Sequence, residues 1–230
     1  MSVILQIETA TTSCSVALAV DGKVVAFKQI NERNIHAEVI TLFIDELVAS
    51  ANLTYDNLDA ISVSSGPGSY TGLRIGVSTA KGLCFALDKP LIAIETLEAM
   101  AYGIIHGDDF TVDEDVLLCP MIDARRMEVY CALFDVHGQK VRSTSADIID
   151  EHSFAEELNK HRIIFFGDGA DKCEATLGAN PNAQFLPGFV NSATFLTHKA
   201  AEKFDKKEFV DVAYFEPYYL KDFIAGKKAL

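Results

Sequence analysis

The sequence predicts an α/β protein organised as two lobes of mixed strands and helices. Two observations lead there. Three strands open the chain and give way to alternating strand and helix, and after an acidic, turn-rich stretch at Gly107–Glu114 the same order of elements begins again. A chain of 230 residues suits one or two domains with a sizeable core. The expected division is 1–107 and 108–230.

Val3–Glu8 is a short apolar run ending in a carboxylate, followed by the polar turn Thr9–Ser13. Cys14–Val20 and Lys23–Ile30 flank Asp21-Gly22, a residue pair that tolerates the left-handed backbone of a two-residue hairpin. A loop, Asn31–Asn34, leads into a helix over His36–Ala51, whose main stripe is Ile40, Ile44, Leu47 and Ala51. Val39, Leu42 and Phe43 fall outside that stripe, so the apolar arc is wider than a surface helix needs. Thr54–Leu58 is a connector and Ala60–Ser64 a strand. The glycine-rich turn Ser65–Gly72 enters a second helix, which Lys89-Pro90 stops after Leu87. Leu91–Ile94 and Thr96–Ile105 complete the first half as strand and helix. In the second half, Val116–Ile122 and Glu128–Phe134 read as strands and Val136–Lys140 as a hairpin-like turn. A helix near Phe154–Asn159, a strand at Arg162–Phe166 and a helix near Ala193–Phe204 follow.

Composition removes several function classes. With 49% hydrophobic and 23% charged residues the chain has ordinary globular composition. No apolar run approaches the roughly 18 residues of a membrane span. Met1–Gln6 has no basic segment or small-residue cleavage site and reads as a first strand rather than a signal peptide. The formal charge of −13 repels phosphate backbones and disfavours tight, unaided nucleic-acid binding. Lys221, Lys227 and Lys228 near the end are too few to reverse that and read as a solvated tail. The five cysteines are odd in number, form no CxxC pair and sit in apolar segments, as buried thiols of a reducing cytoplasm do.

Three segments could carry chemistry. Ser65–Gly76 takes a strand through a glycine-rich turn into a helix, where backbone N–H groups can hold an anion. It lacks the Lys-Ser or Lys-Thr of a Walker loop and the spacing of a dinucleotide fingerprint, so a tight turn with close helix packing by Gly72 and Gly76 is the plainer reading. Asp123-Ala124-Arg125-Arg126 follows a strand; its arginines could bind a phosphate or carboxylate, or its aspartate could pair locally. Gly167-Asp168-Gly169 is a second glycine-rich strand end. The six histidines form neither HxxxH nor HExxH, and His36 reads as a helix-start residue.

In order along the chain, Ile7–Thr11, Cys14–Leu18, His36-Ala37-Glu38, Ser65–Gly76, Asp123–Arg126 with Glu128-Val129-Tyr130, Gly167–Ala170 and Pro217–Lys221 resemble the TsaB (YeaZ) family. The resemblance implies an actin-like, sugar-kinase and Hsp70 ATPase-type fold, with two lobes each holding a five-stranded mixed sheet. It implies a non-catalytic, cytoplasmic subunit of the machinery that makes threonylcarbamoyladenosine at position 37 of tRNA. The implied partners are a TsaD-like catalytic subunit, a TsaE-like ATPase, a second copy of the chain when the catalytic subunit is absent, and tRNA only through the complex. No membrane is implied. The metal-holding HxxxH of the catalytic paralogue is missing from Glu95–Ala101, so neither metal nor cofactor is expected. Glu8-Thr9-Ala10-Thr11 replaces the Asp-x-Gly-Thr phosphate turn of actin-like ATPases with a longer acid and no glycine.

The resemblance places the partner contact on the first-lobe helices. On the second helix, Leu73, Val77, Ala80, Cys84 and Leu87 make one stripe, and Gly72, Gly76, Thr79, Leu83 and Ala86 a second beside it. The expected interface is Val39, Leu42, Phe43, Gly72, Gly76, Thr79 and Leu83, because small residues let a facing helix approach closely. An active actin-like ATPase and a metalloprotease are the rival readings.

Overall fold

A computed structural model describes residues 2–107 and 113–221. Lys227, Lys228 and most of the expected boundary segment lie outside the described residues.

The first sheet is built from β1 (Val3–Glu8), β2 (Ser13–Val20), β3 (Lys23–Asn31), β4 (Ala60–Ser64) and β5 (Leu91–Ile94), in the order β3-β2-β1-β4-β5. Asp21 and Gly22 have φ of 48° and 72°, the left-handed pair that a two-residue hairpin requires. β2 runs antiparallel to β1 with Ile7 opposite Val16, and β4 parallel to it with Ile7 opposite Val63. The second sheet repeats this plan with β6 (Val116–Asp123), β7 (Glu128–Phe134), β8 (Lys140–Ile148), β9 (Arg162–Phe166) and β10 (Ala183–Leu186), in the order β8-β7-β6-β9-β10.

Alternation along β1 sends its side chains to two layers. Val3, Leu5 and Ile7 join a core with Ile40, Ile44 and Leu47 of α1 (His36–Ser50) and Val77, Ala80 and Cys84 of α2 (Tyr70–Leu87). Ile4 faces the other way, onto Ala99 of α3 (Thr96–Ile105), Leu196, and Ala200 of α6 (Thr197–Asp205). The opposite side of α3 sends Leu97, Met100, Ala101 and Ile104 into Val116, Leu118, Phe134 and Phe166 of the second sheet. α3 is therefore the wedge shared by both lobes. The outer face of the second sheet is covered by α4 (Ala155–Leu158) and α5 (Glu174–Leu177), against Phe165 and Cys119.

The expected helix near Ala193–Phe204 is a 3₁₀ turn, Ala193–Leu196, running into α6. It returns to the first sheet: the Ala193 amide donates to Ser15 Oγ at 2.8 Å, and Thr197 Oγ1 to Gln6 Oε1 at 2.9 Å. A single cut at 107/108 therefore does not separate the coverings of the two sheets.

Candidate functional site

Two surfaces emerge: a cleft between the lobes and the outward face of α1 and α2. The cleft, of about 920 Å³, is bounded by the turn after β1, the starts of α1 and α2, the turn after β6, and Tyr219–Lys221. At the end of β1, just before the turn that lines the cleft, Glu8 is fully buried. Its Oε1 accepts from the Ala10 amide at 2.5 Å, while Oε2 has no hydrogen-bond partner among the described residues. Burial pushes its carboxyl up to about 7, against the smaller opposing pull of the Ala10 amide, Ser64 and Asn191.

The glycine-rich segment is spent on packing. Thr9 Oγ1 donates to the Gly72 carbonyl at 2.8 Å, and the Ser69 amide to the Ala10 carbonyl at 2.7 Å. A Cβ on Gly72 would overlap the Thr9 carbonyl oxygen, and one on Gly76 would overlap Thr9 Oγ1. Ser69 caps α2 by accepting from the Gly72 amide. α2 thus packs directly on Thr9 and Ala10, while Ala10, Thr11 and Thr12 line the cleft. This corrects the expectation that Gly72 and Gly76 face a partner: both are buried against the turn after β1.

The Asp123–Arg126 segment is a turn organised by its acid. Asp123 Oδ1 accepts from the Arg125 amide at 2.9 Å and from Lys172 Nζ, while the Asp123 amide donates to Asp168 Oδ1 at 3.1 Å. Burial raises the Asp168 carboxyl above the usual range. Asp123 pairs with Lys172, leaving the arginines exposed, and Arg125 lines the cleft. Both arginines have left-handed backbones, with φ of 75° and 49°. His36 is buried at the start of α1 with Nε2 3.0 Å from the Thr11 carbonyl. That oxygen can only accept, so Nε2 carries the proton. Among the described residues no three His, Cys, Asp or Glu side chains converge as a metal site, and no helix is long and apolar enough to cross a membrane. All five cysteines are buried free thiols.

The second surface sets two exposed apolar side chains among polar ones. Of the expected interface residues, Leu42 is 57% exposed, whereas Val39, Phe43, Thr79 and Leu83 are half-buried. Val39, Phe43 and Leu83 lean on the core between α1, α2 and the sheet. The residue missed from sequence is Phe85, 88% exposed on α2. It ends an outward stripe of Thr71, Arg74, Ser78 and Gly82, at spacings of three and four. That spacing was readable in the sequence; which of three adjacent stripes faced out was not. A Cβ on Gly82 would meet nothing within 4 Å.

A family model described as "TsaD: tRNA N6-adenosine threonylcarbamoyltransferase" matches residues 29–222. The "tRNA threonylcarbamoyladenosine biosynthesis protein TsaB" of Haemophilus influenzae is 30% identical over 240 residues, covering 98% of this chain and 96% of the relative. Among solved structures, "YeaZ from Pseudomonas aeruginosa" superposes with a TM-score of 0.80 at 26% identity, over 96% of this chain and all of that one. An inorganic polyphosphate/ATP-glucomannokinase from Arthrobacter superposes with a TM-score of 0.50 at 14% identity, over 90% of this chain and all of that one. That last likeness speaks for the two-lobed sugar-kinase and actin-like fold alone.

Proposed function

The chain belongs to the TsaB family of tRNA threonylcarbamoyladenosine biosynthesis proteins, and we propose that it is a non-catalytic subunit needed for N6-threonylcarbamoylation of adenosine 37 in tRNAs reading codons that begin with A. In this reading it binds and positions a TsaD-like catalytic subunit in the cytoplasm, with a TsaE-like ATPase as a further partner, and pairs with a second copy when the catalytic subunit is absent. tRNA is engaged only through the complex.

The observation carrying this proposal is Phe85 standing out of α2 beside Ser78 and Gly82, with Leu42 exposed on the neighbouring helix. A large aromatic beside side-chain-poor positions suits a facing helix, which could seat against Gly82 and cover Phe85. Val39, Phe43, Thr79 and Leu83 form the half-buried border of this proposed contact. The turn Glu8-Thr9-Ala10-Thr11, which has a longer acid and no glycine where an actin-like ATPase has its phosphate turn, supports the non-catalytic part.

The test is reconstitution with the TsaD-like subunit, the TsaE-like ATPase and tRNA, assaying the modified base with each protein omitted in turn. Modification should be lost without this chain. A Phe85→Asp variant should keep its fold and bind the catalytic subunit at least thirtyfold more weakly, the effect of losing roughly 2 kcal/mol at an interface centre. Full modification without the chain, or ATP turnover near ~1 s⁻¹ by the chain alone, refutes the proposal in favour of an active ATPase.

A further inference from the structure

The charge of −13 makes the average surface of this protein repel phosphate, yet the mouth of the cleft has the opposite character. The sequence has six arginines. Arg142 is paired with Asp147 at 2.7 Å, and Arg162 with Asp113. The other four, Arg33, Arg74, Arg125 and Arg126, are exposed, and none has an ion pair among the described residues. Two of them line the cleft and two lie next to lining residues. Arg33 lines it from the first lobe and Arg125 from the second, with Arg126 beside it. Arg74 lies over the ring of Tyr70, another lining residue, at 5.5 Å.

Two of the acids nearby are already paired, Asp123 with Lys172 and Glu128 with Lys221, while Asp168 is an exposed acid on the second-lobe side of the cleft. Glu32, next to Arg33 in the chain, and Glu38, in the first turn of α1, are exposed counterweights on the first-lobe side. The starts of α1 and α2, helices of 15 and 18 residues, open into the same cleft and add positive partial charge. Arg33 and Arg125, unpaired and on opposite lobes, suit successive phosphates of a chain better than one small anion. Tyr70 and Tyr219, with ring centroids 4.7 Å apart, supply planar apolar surface between them.

We propose that the mouth of the inter-lobe cleft is a docking surface for the sugar–phosphate backbone of RNA, with Arg33 and Arg125 as its two principal contacts. This rests on the reading of the chain as a subunit of a tRNA-modifying complex, and deepens it by giving the subunit a share of the substrate. The contact is to backbone and not to bases, so it is independent of sequence. Few phosphates are neutralised on an acidic protein, so the contribution is read in the assembled complex.

The experiment uses this chain assembled with the TsaD-like subunit and unmodified tRNA, with Kd measured over about 50 to 200 mM salt. Assembly is checked first by size exclusion. Arg33→Gln with Arg125→Asn is the main variant, because asparagine tolerates the left-handed backbone at 125. It should leave assembly intact, weaken tRNA binding about tenfold or more at the lowest salt, and flatten the salt slope by about one per arginine. Arg125→Lys, which keeps the charge, should restore most of the slope. Arg162→Ala, at the opposite end of β9 from the cleft, should change nothing. An unchanged Kd and slope in the double variant overturns the proposal. So does loss of assembly with that variant, which would assign the arginines to a protein contact. Failure of the unaltered chains to assemble refutes the subunit reading itself, and this proposal with it.

Discussion

In the first lobe the two crossovers between parallel strands are α1 and α2, of 15 and 18 residues; in the second they contain α4 and α5, of four residues each. The strand order beneath them is the same. The second sheet closes its outer face with aromatic side chains instead of helix: Phe154 packs edge-on against Phe165 at 5.3 Å, and Phe165 stacks on Phe185 at 5.2 Å. Short crossovers leave no outward helical face. Long ones do, since a helix buries one stripe and presents the others, and there Leu42 and Phe85 stand exposed. The sheet preserves the topology, and the two lobes differ in the layer that covers it. The strand ends differ as well. β1 ends in buried Glu8, whereas Asp123 at the end of β6 is exposed and paired with Lys172.

The sharpest way to break this contrast lies within α2, where two glycines six residues apart face opposite environments. Gly76→Phe would drive a ring into Thr9 and the turn after β1. Overpacking of that size, with loss of the Thr9–Gly72 bond, should cost about 4 kcal/mol or more and prevent stable folding of the first lobe. Gly82→Phe enters open space and should shift the melting temperature by no more than a few degrees, while blocking the facing helix. Melting curves and partner binding on both variants decide. Equal stability of the two would show that the assignment of inward and outward stripes is wrong.

A smaller effect separates the strand ends through pH. The carboxyl of Glu8 lies at about 7 in the fold, against 4.5 as its ordinary value. A raised acid pKa means that the folded state holds the proton more tightly than the unfolded chain. The stabilisation is therefore complete below about 4.5 and is lost as pH rises through about 7, amounting to roughly 3 kcal/mol. Glu8→Gln is neutral at every pH and should match the unaltered protein near pH 4.5, then exceed it in stability by up to about 3 kcal/mol above pH 7. Denaturant unfolding across that window is the measurement, and parallel curves for Glu8→Gln and the unaltered chain would remove Glu8 as the titrating group.

The same contrast explains what could be read from sequence. The first-lobe elements were legible because each carries its own local signal: Asp21-Gly22 for the hairpin, the period of Ile40, Ile44 and Leu47 for α1, and Lys89-Pro90 after α2. β8 was not, because Lys140–Ile148 is an edge strand of mostly charged and small residues without strong alternation. β10, with four residues, is too short to show a period. The glycines of α2 misled for a different reason. Period alone places Gly72 and Gly76 on one face, but only the fold brings Thr9 beside that face, and a contact across 63 residues leaves no local mark. Phe85 was readable as a position and not as a surface, because its exposure depends on what the crossover helix leaves uncovered.

The smallest expected effect concerns how the lobes are joined at the cleft. Past α6 the chain crosses the first lobe: the Val210 amide donates to the Leu91 carbonyl at 3.0 Å, Lys81 Nζ to the Phe215 carbonyl at 2.9 Å, and the Tyr218 amide to the Ser65 carbonyl at 2.7 Å. It then reaches the second lobe through Lys221, which donates to both oxygens of Glu128 at 2.8 and 2.6 Å. The backbone bonds are anchored in the first lobe, and the reach across the cleft depends on one partly exposed ion pair. Such a pair is worth at most about 1 kcal/mol and weakens with salt. Lys221→Ala should therefore lower the melting temperature by no more than about 4 °C, with the difference shrinking at high salt. The Tyr218 amide should keep its protection in hydrogen exchange, because its partner is Ser65 in the first lobe. Loss of that protection in Lys221→Ala would show that the second lobe holds this segment in place.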